Sequence, residues 1–376
     1  MPLPDTFSRL LPLATASHVR LVVLSRRGYS GSTAYSMEEI SDLDPAVTYD
    51  RGDSCVEMTP ANDQLSGHFS TFMKQRAAEM AQFLAWFIDN EQIPPRSTDT
   101  GGVHGGISLL GWSLGNTTSL SLLAYADTLD PVLVKKLEGY LRKIVVFGTY
   151  LFYFPVNTTL SVALLIDPPN HALGYRKPKN SYNPLFDPTI PPAERQPTFK
   201  SWITSYFNHS PLALDTVSSC NLMNGLEQKT PDPSKQTTLA RLSPAALQAG
   251  FEIVTPAHGD PFSLFEYAQP VHEDVRLRAI FGNPNGTSGP AALPNVEVSY
   301  IWCTQSTWET VLAARRLKAE IASPVGYFAR PVTFFELDGN HFVRRQCDHS
   351  IWNSGFEKKG ALGPSIEDVR NVRRCY

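Results

Sequence analysis

The feature that most constrains the fold of this chain is a serine turn at residues 111–115. A short apolar run, "ISLL", leads into Gly111-Trp112-Ser113-Leu114-Gly115, and the helix-like run "TTSLSLLAYADTL" follows at 117–129. A G-x-S-x-G turn between a strand and a helix raises the serine hydroxyl above the carboxyl edge of a parallel sheet. We expect the two glycines to keep Cβ atoms out of this sharp turn. The pattern predicts a strand–turn–helix unit with Ser113 as the candidate nucleophile.

Apolar runs and helical patterns alternate along much of the rest of the chain. Strands are predicted at 19–25, 107–110, 296–304 and 331–337, and helices at 5–16, 69–90, 117–129, 131–142 and 307–321. Such alternation is typical of a largely parallel sheet with helices on both faces. The segment "RRGYSGS" at 26–32 is predicted to be a turn because two glycines punctuate it. The predicted fold class is therefore α/β.

The stretch from Ile144 to Ile166 carries no charged residue and is long enough to cross a membrane. Pro155, Asn157 and a β-branched, aromatic-rich composition argue against a membrane-spanning helix. We predict two apolar strands instead, one in "KIVVF" and one in "SVALLI".

Residues 168–294 are rich in Pro, Asn, Asp and Ser, with helical patterns at 193–208 and 243–251. We interpret this region as a lid inserted into a core formed by residues 1–167 and 295–376. Phe199 and Trp202 are its candidate substrate contacts, and packing within the lid is the other explanation for these aromatic side chains.

A histidine follows the last predicted strand, in "ELDGNHFV". His341 is the candidate base, since a serine needs a neighbouring group to take its proton. The sequence leaves open which acidic residue would orient this base. Asp167 ends the run "SVALLI" before two prolines, which favours a carboxylate held at a strand tip. Glu309 and Asp338 are weaker candidates, because Glu309 falls on a predicted helix and Asp338 is only three residues from His341.

Three motifs, "VVLSRRGYSGS", "GWSLGN" and "DGNHF", occur in an order and spacing that resemble the α/β-hydrolase superfamily. The segment "DPPNHALGY" at 167–175 is similar to fungal α/β-hydrolases, a group that includes acyl-CoA hydrolases of secondary metabolism. The resemblance implies an eight-stranded, mostly parallel sheet, with the lid after the sixth strand. It also implies that the backbone N–H of Leu114 is an oxyanion donor. Trp112 and Phe342, beside the two catalytic candidates, are expected to contact the acyl group.

Three departures from the family pattern matter. The usual acid position aligns with Ser306, so the resemblance leaves Asp167 as the acid. The His-Gly oxyanion loop usually precedes the helix that here begins near residue 5, so we expect the first strands and the second oxyanion donor to be missing. The family has one strand where this chain has two apolar runs. Residues 148–166 are therefore interpreted as an insertion, such as a retained intron.

Net charge and cysteine spacing argue against several classes of protein. The net charge is −3 and no basic block occurs, which argues against a nucleic-acid binder. The five cysteines are scattered, without metal-ligand or disulfide-framework spacing, and no signal peptide is visible, so a cytoplasmic location is expected. Neither a metal nor an organic cofactor is implied, and the sequence does not give the oligomeric state.

These features together predict a serine hydrolase that cleaves an ester or thioester of a small or medium hydrophobic acyl compound through an acyl-enzyme. A serine at the turn argues against epoxide hydrolase and dehalogenase chemistry, which need a carboxylate nucleophile. The alternative is a catalytically impaired protein of the same fold, either a binding module or a truncated product without a complete oxyanion hole. Labelling of Ser113 by a fluorophosphonate distinguishes the two.

Overall fold

The computed structural model describes residues 14–15, 19–44, 60–99, 102–146, 164–166, 168–215, 223–241, 243, 256–282, 292–323 and 330–342. Asp167 lies outside the described residues, as do most of the predicted helices at 5–16 and 243–251.

A parallel sheet of five strands organises the described part of the chain. In spatial order its strands are β3 (Ile107–Trp112), β4 (Leu141–Val146), β5 (Leu164–Ile166), β6 (Glu297–Cys303) and β7 (Val332–Leu337). Two short strands before it, β1 (Ser97–Asp99) and β2 (Gly102–His104), form a separate antiparallel pair. Parallel strands align their carboxyl ends at one edge of a sheet. The residues that follow β3, β6 and β7 therefore emerge at that edge.

Strands β4 and β5 pair with each other at Val145 and Leu164, and each also pairs with both β3 and β6, so the two together fill the place between β3 and β6. Strand β4 lies toward the amino-terminal end of β6, where its Lys143 and Ile144 pair with the start of that strand. Strand β5 lies farther along β6, where its Leu164, Leu165 and Ile166 pair with Ser299, Tyr300 and Ile301. On the other side, Gly111 of β3 is level with both Val146 and Leu165. The two predicted apolar strands thus share a position that one strand could fill.

Eight helices surround the strands or lie between them. They are α1 (Met37–Ser41), α2 (Pro60–Asn90), α3 (Gly115–Ala124), α4 (Pro131–Glu138), α5 (Pro192–Ile203), α6 (Pro211–Asp215), α7 (Gln269–Arg276) and α8 (Trp308–Ala322), within the described ranges. The helices predicted at 69–90, 117–129, 131–142 and 307–321 are confirmed, with shifted ends. In α4, the Asp130 side chain caps the first turn and Pro131 occupies the first helical position, which fixes where the helix begins.

Helix α3 carries the packing that positions the serine turn. It contacts β3, β4 and the long helix α2, and all its residues from Asn116 to Ala124 are buried. Two of its buried hydroxyls bond to nearby backbone carbonyls: Thr117 donates to the carbonyl of Leu114, and Ser121 donates to the carbonyl of Thr117, both at 2.8 Å. A helix buried on all sides and bonded in this way is a rigid support for the turn that precedes it.

No strand forms at 19–25, so that prediction is wrong. Val19, Val22 and Leu24 are exposed rather than buried. A strand needs a neighbour to accept and donate its backbone hydrogen bonds. The turn predicted at 26–32 is present, and its Arg26 forms an ion pair with Asp260 at 2.5 Å.

Residues 168–243 form the cap segment, which contains α5 and α6. The predicted lid also takes in α7, which continues as a π-helical turn over Leu277–Phe281. Helix α7 packs against α2 and α3, and its Val271 and Val275 join their apolar cluster. This helix is therefore part of the layer that supports the sheet.

A buried arginine joins the start of β6 to the start of β7. The Arg330 guanidinium donates to the carbonyls of Ala279, Ala292 and Leu293 at 2.7–2.9 Å, and also to that of Val296. Burial lowers the pKa of Arg330 to about 10. One planar side chain thus satisfies four carbonyl oxygens at the place where three segments meet.

Among the helices that the structure describes, none combines the length and apolarity needed to span a membrane. The candidate span from Ile144 to Ile166 lies mostly outside the described residues, and its two described ends are strands.

Candidate active site

The serine turn is built from a strained backbone. Ser113 directly follows β3 and has a φ of +52°, in the left-handed region that side-chain-bearing residues rarely adopt. Its carbonyl accepts hydrogen bonds from the backbone N–H and the side-chain Nδ2 of Asn116, at 3.2 and 2.7 Å. These bonds tie the strained residue to the buried first turn of α3 and hold the serine above the strand end.

The two glycines of the motif have different roles. A Cβ on Gly111 would lie 2.6 Å from the Ser119 hydroxyl and 2.9 Å from Asn116 Oδ1, closer than atoms can approach. A Cβ on Gly115 would meet no atom within 4 Å. Only Gly111 is therefore required for close packing of strand on helix, and the prediction for Gly115 is wrong. Ser113 itself, rather than a glycine, adopts the left-handed conformation.

The structure brings His341 to Ser113. Residues after β7 turn back to the sheet edge, and Nε2 of His341 lies 3.0 Å from Oγ of Ser113. His341 is buried while Ser113 is half-buried, so the pair is reachable from one side. In the tautomer with its proton on Nδ1, the imidazole accepts the serine hydroxyl at Nε2. This is the arrangement of a nucleophile with its general base.

Two aromatic side chains enclose the imidazole. The Trp112 ring stacks near His341 with centroids 5.8 Å apart, and the Phe342 ring meets His341 edge-on at 5.4 Å. Trp112 and Phe342 also contact each other at 5.2 Å. Both are sequence candidates for substrate contact, and both lie against the imidazole that approaches Ser113. Their packing also restricts the orientation of the imidazole.

The remaining substrate candidates lie in the cap segment. Trp202 is buried, and its indole N–H donates to the carbonyl of Gln228 at 2.8 Å. Its ring contacts Phe199, Tyr182 and Phe207. Among the contacts described, none joins Phe199 or Trp202 to Ser113 or His341. Their observed role is packing inside the cap segment.

Asp167 lies outside the described residues, but its neighbours in sequence define the strand end there. Ile166, which precedes it, is level with Trp112 on one side and with Ile301 on the other. Trp112 in turn immediately precedes Ser113. The strand that leads to Asp167 and the strand that leads to Ser113 are therefore neighbours and end at the same level.

Glu309 is a buried carboxyl group near the histidine. It lies in the first turn of α8 and is only 7% exposed, and its Oε1 accepts a hydrogen bond from Asn183 Nδ2 at 2.9 Å. Burial raises the pKa of Glu309, while the Asn183 hydrogen bond and electrostatic interactions with Lys177 and His341 act to lower it. Sequence reasoning ranked this residue low because it falls on a helix. Its position at the buried N-terminus of α8 is a tertiary feature.

Ser306, at the usual position of the acid, and Asp338, the remaining acid candidate, differ in how deeply they are buried. Ser306 is fully buried between β6 and α8, and its carbonyl lies 2.7 Å from Nε2 of His209. Asp338 is exposed in the turn after β7. An exposed carboxylate in that turn is a poor group to fix a buried imidazole, because solvent screens its charge.

Sequence reasoning missed Asn340, the residue before the histidine. Asn340 is fully buried, and its side chain bonds to Thr204 and Thr238 of the cap segment. A polar amide beside a candidate base is a weak signal in a sequence, because its partners come from residues more than a hundred positions away.

The described residues include no group of three or more His, Cys, Asp or Glu side chains placed to hold a metal ion. Cys303 of β6 is a buried cysteine. Comparison of the chain with known protein families, curated proteins and solved structures finds no match.

Proposed function

We propose that this protein is a serine hydrolase that cleaves an ester or thioester of a small or medium hydrophobic acyl compound. The observation that carries the proposal is the 3.0 Å approach of His341 Nε2 to the hydroxyl of Ser113, which stands on a strained turn. We also propose that the described strands and helices belong to an α/β-hydrolase fold. Four parallel strand positions, with the serine after one and the histidine after another, support that assignment.

The chemistry follows from the two side chains. His341 takes the proton of the Ser113 hydroxyl as Oγ attacks the acyl carbon, and the carbonyl electrons move to oxygen. When the bond to the alcohol or thiol breaks, the imidazolium returns its proton to that leaving group. Water then gives a proton to His341 and attacks the acyl-enzyme. Release of the acid restores the Ser113 hydroxyl with the proton from the imidazolium.

The developing oxyanion needs hydrogen-bond donors. We assign one to the backbone N–H of Leu114, because this residue follows the nucleophile and precedes the first turn of α3. Helix N-termini favour negative charge, since their backbone N–H groups lack partners within the helix. Trp112 and Phe342 would present apolar surface to the acyl group beside this donor. A cytoplasmic location fits five cysteines without paired spacing.

Replacement of Ser113 by alanine tests the nucleophile. We expect Ser113→Ala to abolish hydrolysis of short p-nitrophenyl esters and labelling by a fluorophosphonate, while the protein stays folded. Ser108→Ala, at an exposed position on the same strand, is the matched control and should keep both. Full activity in Ser113→Ala would contradict the assignment. Absence of labelling in folded wild-type protein would support the impaired-protein alternative.

A second set of variants identifies the acid. Asp167→Asn should lower kcat by about 10⁴, because loss of the orienting carboxylate leaves the imidazole in the wrong tautomer. Ser306→Ala and Asp338→Asn should be nearly silent, and Glu309→Gln should have a much smaller effect than Asp167→Asn. If Asp167→Asn keeps most of the activity and Glu309→Gln loses it, the acid is the buried carboxyl of α8.

A further inference from the structure

The turn that carries His341 is fastened to the cap segment by one buried side chain. Asn340 Nδ2 donates to the Thr204 carbonyl at 2.7 Å and to the Thr238 hydroxyl at 3.0 Å. Its Oδ1 accepts the backbone N–H of Phe342 at 2.9 Å. The amide therefore bonds to the cap segment on one side and, on the other, to the residue just after the histidine.

The two cap residues are themselves joined at the end of α5. The backbone N–H of Thr238 donates to the same Thr204 carbonyl at 2.9 Å, and the Thr204 hydroxyl donates back to the Lys200 carbonyl at 2.8 Å. Helix α5 is the element that carries Phe199 and Trp202. Asn340 therefore bonds directly to the C-terminal end of α5.

A second connection runs in parallel through the loop after β6. Gln305 donates its backbone N–H to the Gly339 carbonyl at 2.9 Å. Its own carbonyl accepts the backbone N–H of Phe207, and its Oε1 accepts Lys235 Nζ at 2.7 Å. Gly339 and Asn340 are both buried and precede His341 directly. The histidine turn is therefore bonded to the cap segment both directly and through Gln305.

We propose that Asn340 is a positioning residue that couples the seating of the cap segment on the sheet to the placement of His341 beside Ser113. This inference rests on the proposed hydrolase function. The Thr204 carbonyl, the Thr238 hydroxyl and the backbone N–H of Phe342 belong to buried residues, and all three bond to the Asn340 side chain. A shift of α5 must therefore break one of these bonds or move the histidine turn. A displacement of about 1 Å at a catalytic group can cost roughly 10²-fold in rate.

Thr238→Val is the primary test, because valine keeps the shape of threonine and removes only the hydroxyl. We expect kcat for a p-nitrophenyl ester to fall about tenfold with KM nearly unchanged, and Thr238→Ser to restore kcat. Asn340→Ala should lower kcat about 100-fold. Since both residues act through one contact, the double variant should be no slower than Asn340→Ala.

Thr198→Val is the matched control. That hydroxyl also lies on the cap segment but bonds within α5, to the Glu194 carbonyl at 2.7 Å. It should leave kcat and KM unchanged. All rates are taken at a temperature where circular dichroism shows each variant folded. Equal losses in Thr238→Val and Thr198→Val, or no loss in Thr238→Val and Asn340→Ala, would overturn the coupling.

The imidazole NMR signals of His341, assigned by their loss in His341→Gln, give a readout that does not depend on turnover. Thr238→Val should shift these signals and Thr198→Val should not. If folded wild-type protein neither hydrolyses esters nor labels at Ser113, the proposed function fails, and the coupling is judged by these signals alone. Unchanged signals in Thr238→Val and Asn340→Ala then reject it.

Discussion

At the scale of single residues, the candidate site depends on a conformation that is unfavourable for the residue that adopts it. Ser113 has a positive φ, and its Cβ crowds the backbone in that region. The conformation persists because Asn116 binds the Ser113 carbonyl twice and because Gly111 lets α3 approach β3 closely. The strain holds the hydroxyl where His341 can reach it.

This strain predicts an ordering of variants at Ser113. Ser113→Gly should be more stable than Ser113→Ala by about 1 kcal/mol, because glycine adopts a positive φ without steric cost. Urea unfolding followed by circular dichroism measures the difference. At Ser119, inside α3, the order should be reversed. Ser119→Ala should be more stable than Ser119→Gly, because alanine is more favourable than glycine in a helix by roughly 1 kcal/mol. A less stable Ser113→Gly would contradict the account of the turn.

At the scale of elements, the shared position of β4 and β5 is the most unusual feature of the sheet. Val146 and Leu165 are both level with Gly111, and Ile166 is level with Trp112. In a chain without residues 148–166, Phe147 would follow Val146 at the level of Trp112. Asp167 would then come directly after that level, just as it comes directly after Ile166 in the full sequence. The register therefore supports the interpretation of 148–166 as an insertion.

Deletion of residues 148–166 should consequently leave a folded protein. We expect its urea midpoint to be no lower than that of the full chain, because one continuous strand replaces two, and we expect ester hydrolysis to be retained. Deletion of 148–165 is the control. It shifts Asp167 by one residue, and a one-residue slip turns each following side chain to the opposite face of a sheet. If the two deletions behave alike, the register argument is wrong.

At the scale of the whole molecule, the helices that support the sheet enclose a histidine that has no part in the proposed mechanism. His272 of α7 is fully buried, and its ring meets Phe69 of α2 edge-on at 5.2 Å. Burial, together with an electrostatic interaction with His171, lowers the pKa of His272 to about 3, while a hydrogen bond with the Ser263 backbone acts to raise it. The neutral imidazole is therefore part of the core at physiological pH.

This burial predicts acid sensitivity of the fold. The unfolded chain protonates His272 near the ordinary value of 6.5, whereas the folded chain does so only near 3. Its contribution to stability is full above pH 6.5 and is lost as the pH falls from there toward 3. His272→Leu should therefore show a smaller drop in urea midpoint between pH 7.5 and pH 4.5 than the wild type. The exposed His104→Leu should show the wild-type drop; an unchanged drop in His272→Leu would refute the prediction.

The local pattern of the chain was enough to predict much of the candidate site. Strand, turn and helix around Ser113 follow from short-range periodicity and a glycine motif, and His341 follows from its place after a strand. Both signals lie within a few residues of the side chain concerned. The prediction of a strand at 19–25 was wrong because an apolar run becomes a strand only where another strand pairs with it.

Other properties were decided by contacts between distant parts of the chain. Gly111 is needed and Gly115 is not, because only the first lies against α3. Glu309 is a buried carboxyl group because its helix begins beside Asn183. Asn340 holds the histidine turn through residues 136 and 102 positions away. Sequence periodicity reports which face of an element is apolar, but burial and hydrogen bonding of a polar side chain depend on which other segments pack around it.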